Sequence, residues 1–248
     1  MIILKSAEEI DQIRKASKIV AEVIEELALM VKPGVTTKDL DRRAEELIRK
    51  KGATPAFKGY RGYPASLCTS INEVVVHGIP SKQSLKDGDI VGVDCGAIVN
   101  GYYGDSARTF AVGTVDPESK HLMDVTRESL YRGIEKMVVG NRLHDISWAV
   151  QSHAEQAGFS VVRDFVGHGV GRSLHEEPQV PNFGTAGTGM RLSVGLVLAV
   201  EPMINAGEPG VRILEDGWTA VTTDQKRSAH FEHTIALTEK GFEILSEL

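Results

Sequence analysis

The sequence predicts a mixed helix-and-strand fold, α/β or α+β in class, in which two related halves share one core. Three observations predict it. Helix-like and strand-like stretches follow one another in the same order twice along the chain. Gly34, Asp39 and Gly52 reappear as Gly140, Asp145 and Gly158, a constant offset of 106 (Gly34 to Gly140). The stretch LKDGDIVGVD at 85–94 reappears as LSVGLVLAVE at 192–201, an offset of 107 (Asp94 to Glu201). Each copy runs from a leucine through a glycine into an apolar strand that closes on an acid. The halves divide near 1–110 and 111–248, and no linker or low-complexity segment separates them, so 1–248 reads as a single domain.

The elements follow in order. Ser6 with Glu9 has the spacing of a capping box, and Ile10, Ile13, Val20, Ile24 and Leu27 carry an apolar helical stripe to about Val31. KPG at 32–34 ends that helix. A second helix runs from about Thr37 to Lys51 and stops at Gly52. In the second half a helix runs from about Pro117 to Val139, and another from about His144 to the glycine at 158. Strands are expected in VVVHGIP, DIVGVDCGA, GYYGDSARTFAV, GLVLAVEPM and AHFEHTIAL. Pro202 holds Glu201 away from helical geometry, so Glu201 reads as a strand's last residue.

Composition sets the outer limits. A chain of 248 residues can bury a sizeable core, and 42% hydrophobic with 25% charged residues is ordinary for a globular protein. The net charge of -6 argues against nucleic acid as a direct partner and against a concentrated basic face for ribosome docking. Two cysteines are too few for a disulfide framework and suit a reducing compartment. The N-terminus turns charged at once, leaving no secretory apolar region, and no apolar run approaches the ~18 residues of a membrane span. A cytoplasmic monomer is the expectation.

Four acids sit at or within these strands: Asp94, Asp105, Glu201 and Glu232. One strand-end carboxylate is ordinarily a solvated group. Four in related positions of two halves form a set that repels itself unless protons or metal ions neutralise it. His168 lies between glycines in VGHGVG, His175 follows it, and His77 ends VVVHGIP; turns of this kind favour a site. His121, His144, His153, His230 and His233 read as surface or core residues. Carboxylates with one imidazole make a hard, oxygen-rich donor set that suits Mn²⁺, Fe²⁺ or Co²⁺ better than a structural zinc. Two such ions activate water and polarise a carbonyl, the chemistry of dinuclear hydrolases.

These residues resemble the type I methionine aminopeptidases. The motifs are INEVVVHGIP, VGVDCGAIVNGYYGDSART, VGHGVGRSLHEEPQVPNFG, LAVEPMI, EDGWTAVT and SAHFEHTI, and the likeness spans nearly the whole chain. It implies the α+β "pita-bread" fold: two pseudo-symmetric halves around a central, mainly antiparallel sheet with helices outside. It also implies two divalent metal ions, cobalt, manganese or iron, held by Asp94, Asp105, His168, Glu201 and Glu232, with Asp105 and Glu232 shared. Glu201 would accept a proton from the attacking water, His77 would contact the substrate amide, and His175 would bond the carbonyl oxygen as it turns anionic. Tyr60, Tyr63, Cys68 and Trp218 would line the methionine pocket; from the residues alone these aromatics read as ordinary core. Asn72, Val74 and Ser228 match positions that hold a monovalent cation in some members. Phe57 and Leu174 depart from the pattern, standing where other members carry Cys and Phe. Nascent polypeptide N-termini with a small second residue are the implied partners. A proline-specific aminopeptidase or dipeptidase on the same fold, and a metal-free binding module, are the competing readings. The first ordinarily carries an extra N-terminal domain; the second would have lost ligand positions that are intact here.

Overall fold

The computed structural model describes residues 2–248. The first half contains α1 (Ala7–Ala28), α2 (Thr37–Lys50), β1 (Thr54–Pro55), β2 (Leu67–Ile71), β3 (Val74–Val76), β4 (Ile90–Val99) and β5 (Tyr102–Ala111). The second contains α3 (Pro117–Ile134), α4 (Leu143–Gln156), β6 (Ser160–Val161), β7 (Gly167–Gly169), β8 (Glu176–Val180), β9 (Val197–Val200) and β10 (Met203–Asn205). It continues through β11 (Val211–Ile213), β12 (Ala220–Thr222), β13 (Ser228–His230), β14 (Glu232–Thr238) and β15 (Gly241–Ile244).

Local chemistry sets the helix ends. The Ser6 hydroxyl accepts from the Glu9 N–H while the Glu9 carboxylate accepts from the Ser6 N–H, which starts α1. Asp116 caps α3, and Pro117 occupies the first turn, where its missing N–H costs nothing. Two helices are shorter than their sequence periodicity suggests. α1 stops at Ala28 because the Met30 and Val31 amides both turn back to the Leu27 carbonyl ahead of Pro33. α3 stops at Ile134 rather than Val139 because Met137 folds back into the core, fully buried, and leaves Val138 and Val139 outside.

The internal repeat recurs in backbone detail. Gly34 and Gly140 adopt φ of +91° and +93°, a region that excludes most side chains. The Gly34 amide donates to Leu85 O and the Gly140 amide to Leu192 O. Isolated bridges join Thr36 to Ser84 in one half and Arg142 to Arg191 in the other.

The central sheet has nine strands in the order β1-β4-β5-β14-β9-β7-β8, with β15 also paired to β14 and β2 to β4, every pairing antiparallel. The halves meet at β5 and β14, where the ladder holds only two register pairs, Glu232 with Ala107 and His233 with Ser106. In β4, Val91, Val93, Cys95 and Ala97 pack with Ile24, Leu27, Leu40 and Leu47 of α1 and α2. Period-two alternation therefore turns Asp94 to the opposite face. In the second half, Leu198 and Val200 of β9 and Ile235 of β14 pack with Leu130 and Ile134 of α3, which sends Glu201 and Glu232 to that same opposite face. Helices thus cover one side of the sheet, and its acids converge on the other.

Candidate functional site

A cavity of about 600 Å³ opens on the helix-free face. All the residues singled out for chemistry line it: Asp94, Asp105, His168, Glu201, Glu232, His77, His175, Tyr60, Tyr63, Cys68 and Trp218. Asp94 and Asp105 come from the neighbouring strands β4 and β5, Glu232 opens β14, His168 sits at the centre of β7, and Glu201 follows β9 immediately. Its placement just past the strand follows from Pro202, and the Asn182 side-chain amide fixes the Glu201 carbonyl at 3.0 Å.

The donor atoms converge. One ligand atom each from Asp105, His168 and Glu232 lies within 4.8 Å of the others. His168 Nε2 is 3.4 Å from Glu201 Oε1 and 3.9 Å from Asp105 Oδ2. The other ring nitrogen, Nδ1, faces the Gly169 carbonyl at 2.9 Å and so carries the ring proton, which leaves Nε2 as a free lone pair. Burial holds the His168 pKa down to about 4, so the imidazole is neutral, the form that binds a metal.

The carboxylates show the opposite pressure. Burial pushes Asp105 up to about 7. Asp94, Glu201 and Glu232 are raised well above the carboxylate range, first by burial and then by the charge of Asp105. Among the described residues no lysine or arginine forms a salt bridge with any of the four. Asp94 Oδ1, Asp105 Oδ1 and Glu232 Oε1 are buried with no hydrogen-bond partner. Unpaired buried carboxylate costs several kcal/mol. A divalent cation supplies both the missing charge and the missing contacts, so the residues fit the hard metal ions that their chemistry suggests.

The rest of the cavity is aromatic. The Tyr60 hydroxyl lies 2.7 Å from His175 Nδ1, and the His175 ring stands edge-on to His168 with centroids 4.3 Å apart. Burial, followed by the charge of nearby His168, lowers His175 to about 3. Tyr63 meets Trp218 edge to face at 5.1 Å, and its hydroxyl lies 3.0 Å from the carbonyls of Leu67 and Gly78. Phe57 and Leu174 pack in the same cluster as Tyr63 and Cys68. His77 sits at φ +60°, a conformation rarely held by a non-glycine residue, and packs edge-on against Phe165 at 5.3 Å.

A scan against family models matches residues 11–239 to metallopeptidase family M24. The chain belongs to metallopeptidase family M24. Within the family it is 56% identical over 246 residues to a methionine aminopeptidase of Clostridium perfringens, covering 99% of each chain. It is 53% identical over 248 residues to methionine aminopeptidase 1 of Bacillus subtilis, covering both chains completely. A crystal structure of methionine aminopeptidase from Thermotoga maritima superposes with a TM-score of 0.98 at 50% identity, again covering both chains. The prolidase of Pyrococcus furiosus shares the fold, with a TM-score of 0.79 at 23% identity over 66% of its own length. Membership in metallopeptidase family M24 implies divalent-metal use, and the converging Asp105, His168 and Glu232 form a candidate metal site.

One further buried histidine stands beside these acids. His230, read as an ordinary core or surface histidine, is buried with Nε2 3.5 Å from Glu201 Oε2 and without a hydrogen-bond partner. Its signal was its spacing: two residues before Glu232 on an extended stretch, it shares that residue's face. His233, given the same reading, is a core residue on the helix side, with Nδ1 2.8 Å from Ser246 Oγ. At the proposed monovalent-cation positions, the Asn72 carbonyl accepts from the Ser228 amide at 2.8 Å, and Val74 opens β3.

Proposed function

We propose that the chain hydrolyses the first peptide bond of polypeptides that begin with methionine and carry a small second residue. Asp94, Asp105, His168, Glu201 and Glu232 would hold two divalent ions, Asp105 and Glu232 being common to both. Bound there, the ions supply Lewis acidity, which lowers the pKa of a water and polarises the scissile carbonyl. Glu201 accepts the water's proton, its carboxylate standing in the cavity immediately after β9 beside the other acids. His175 is neutral, and when the Tyr60 hydroxyl donates to Nδ1 its single proton lies on Nε2. That N–H is the donor for the carbonyl oxygen as it becomes anionic. His77 contacts the substrate amide. Tyr60, Tyr63, Cys68 and Trp218 supply an aromatic and sulfur-bearing wall for the methionine thioether.

The observation that carries this reading is the set of buried, unpartnered carboxylate oxygens on Asp94, Asp105 and Glu232 inside the 600 Å³ cavity. Methionine as the substrate side chain rests on the close relatives from Clostridium perfringens and Bacillus subtilis. Nascent chains are the natural source of such N-termini. We place the protein in the cytoplasm as a monomer formed of one catalytic domain, its halves near 1–110 and 111–248, a reading that rests on the internal repeat and the two buried free cysteines. A peptide assay tests the activity. Met-Ala-Ser should lose methionine and Met-Leu-Ser should not; chelator should stop the reaction, and Mn²⁺ or Co²⁺ should restore it. Met-Ala-Ser left intact under every metal condition would refute the reading.

A further inference from the structure

The β5–β14 junction is narrower than its register implies. Continuing the pairing of Glu232 with Ala107 and His233 with Ser106 outward brings Thr234 opposite Asp105 and His230 opposite Thr109. At neither position do the two backbones pair with each other. Instead the Thr234 hydroxyl donates to Asp105 O at 2.7 Å and accepts from the Asp105 amide at 3.2 Å. At the other end the Thr109 hydroxyl donates to His230 O at 2.8 Å and accepts from the His230 amide at 3.0 Å. Thr234 of β14 thus bonds the backbone of β5, and Thr109 of β5 bonds the backbone at the end of β13, both across the line where the two halves join. Both side chains are buried, Thr234 completely.

The reason for the first substitution is visible in β14. At Thr234 the strand's backbone turns to other partners: its amide donates to Ser246 Oγ at 3.1 Å and its carbonyl accepts from the Leu245 amide at 2.8 Å. Without the Thr234 hydroxyl, both backbone groups of Asp105 would lose their partners in a buried place, which is costly. Asp105 and Glu232 belong to the group whose ligand atoms converge within 4.8 Å, and they stand on the two strands that this hydroxyl ties together.

We infer that Thr234 is a positioning residue for the metal site: its hydroxyl fixes the Asp105 backbone against β14 and so sets the separation of the Asp105 and Glu232 carboxylates. The inference rests on the proposed metal-binding role of those two acids. Thr109 performs the same mechanical task two residues beyond Ala107, tying down His230 instead of a carboxylate ligand, and so serves as the control.

The test is Mn²⁺ affinity, read by electron paramagnetic resonance of the free ion, together with the melting temperature of the chelated protein. Four proteins are compared: the natural chain, Thr234→Val, Thr234→Ser and Thr109→Val. The valines keep volume and shape but remove the hydroxyl. Thr234→Val should weaken Mn²⁺ binding about 10-fold or more, the usual effect of losing a group that orients a ligand. Thr234→Ser should restore it to near the natural value. Thr109→Val should lower the melting temperature as much as Thr234→Val while changing affinity far less. Equal affinities in the natural chain and Thr234→Val, or equal affinity losses in both valine variants, would overturn the inference. Should Thr234→Val fail to fold, Thr234→Cys keeps the volume with a weaker donor, and the same ordering against Thr109→Val decides. If the natural chain binds no Mn²⁺, the metal reading itself fails, a result distinct from these.

Discussion

Glu201 stands at the meeting point of the site's demands. Burial and the charge of Asp105 and Asp94 raise its pKa, and His168 and His230 face its two oxygens at 3.4 and 3.5 Å. Glu201→Gln removes the charge of a proposed ligand and the proposed base together while preserving shape. It should leave the melting profile of the chelated protein intact or raised, and lower turnover of Met-Ala-Ser by at least ~10²-fold. Near-normal turnover would show that the proton goes elsewhere. Tyr60→Phe is a milder probe, since it removes the hydroxyl 2.7 Å from His175 Nδ1 without removing the ring. Losing one oriented hydrogen bond of this kind should lower kcat more than it raises KM, because the donor matters most as the oxyanion develops. An unchanged kcat with raised KM would make Tyr60 a binding wall only. At this scale the sequence was most legible where a residue sat in a marked setting: His168 between glycines, Glu201 before a proline. His230 carried no such mark. Its spacing within AHFEH gives the face it shares with Glu232, whereas its place beside Glu201 depends on how β13 pairs with β10.

The elements explain why the acids converge. Each acid-bearing strand devotes alternate residues to the helices, and the period of two does the rest. Strand existence and face were therefore readable from VGVD and LAVE, and helix starts from SAEE and its cap. Helix ends were not, because Met137 and the Leu27 carbonyl redirect the chain through contacts that lie outside the periodic pattern. The packing of α1 on β5 offers a direct check of this layer. A side chain on Gly104 would place Cβ 2.3 Å from the Ser17 backbone nitrogen, and backbone cannot move aside as a flexible side chain can. Gly104→Ala should therefore destabilise by about 1–3 kcal/mol or more, read as a melting temperature lowered by at least ~2–4 °C. No change would mean that helix and strand are not in the close contact described. Since Gly104 is adjacent to Asp105, metal affinity should fall with it.

The molecule as a whole stores a charge imbalance at its centre that only protons or cations relieve. Folded carboxylates with raised pKa bind protons that the unfolded chain releases. Their contribution is thus complete below the ordinary carboxylate range, about 4, and is lost as pH rises through the folded values, about 7 for Asp105, with Asp94, Glu201 and Glu232 raised in the same direction. The buried histidines run the other way. His168, held at about 4, and His175 and His230, held at about 3, stabilise above the ordinary histidine range and lose that contribution as pH falls. Above about pH 6.5 those histidines are neutral in both states and drop out. The chelated protein should therefore melt at a lower temperature as pH rises from about 6.5 through the Asp105 value of about 7, and saturating Mn²⁺ should remove that slope. A flat profile in chelator would mean the four acids are not crowded. The two-fold repeat that brings them together was visible in the chain as the glycine and acid offsets, whereas the threonine bridges at the β5–β14 seam were not, because Thr234 and Thr109 look like any other strand threonine until the register is known.

The most direct measurement is anomalous scattering from manganese-soaked crystals. Two strong peaks should appear within coordination distance of Asp94, Asp105, His168, Glu201 and Glu232. No peak among those side chains, or peaks held by a different group of residues, would contradict the account at its root.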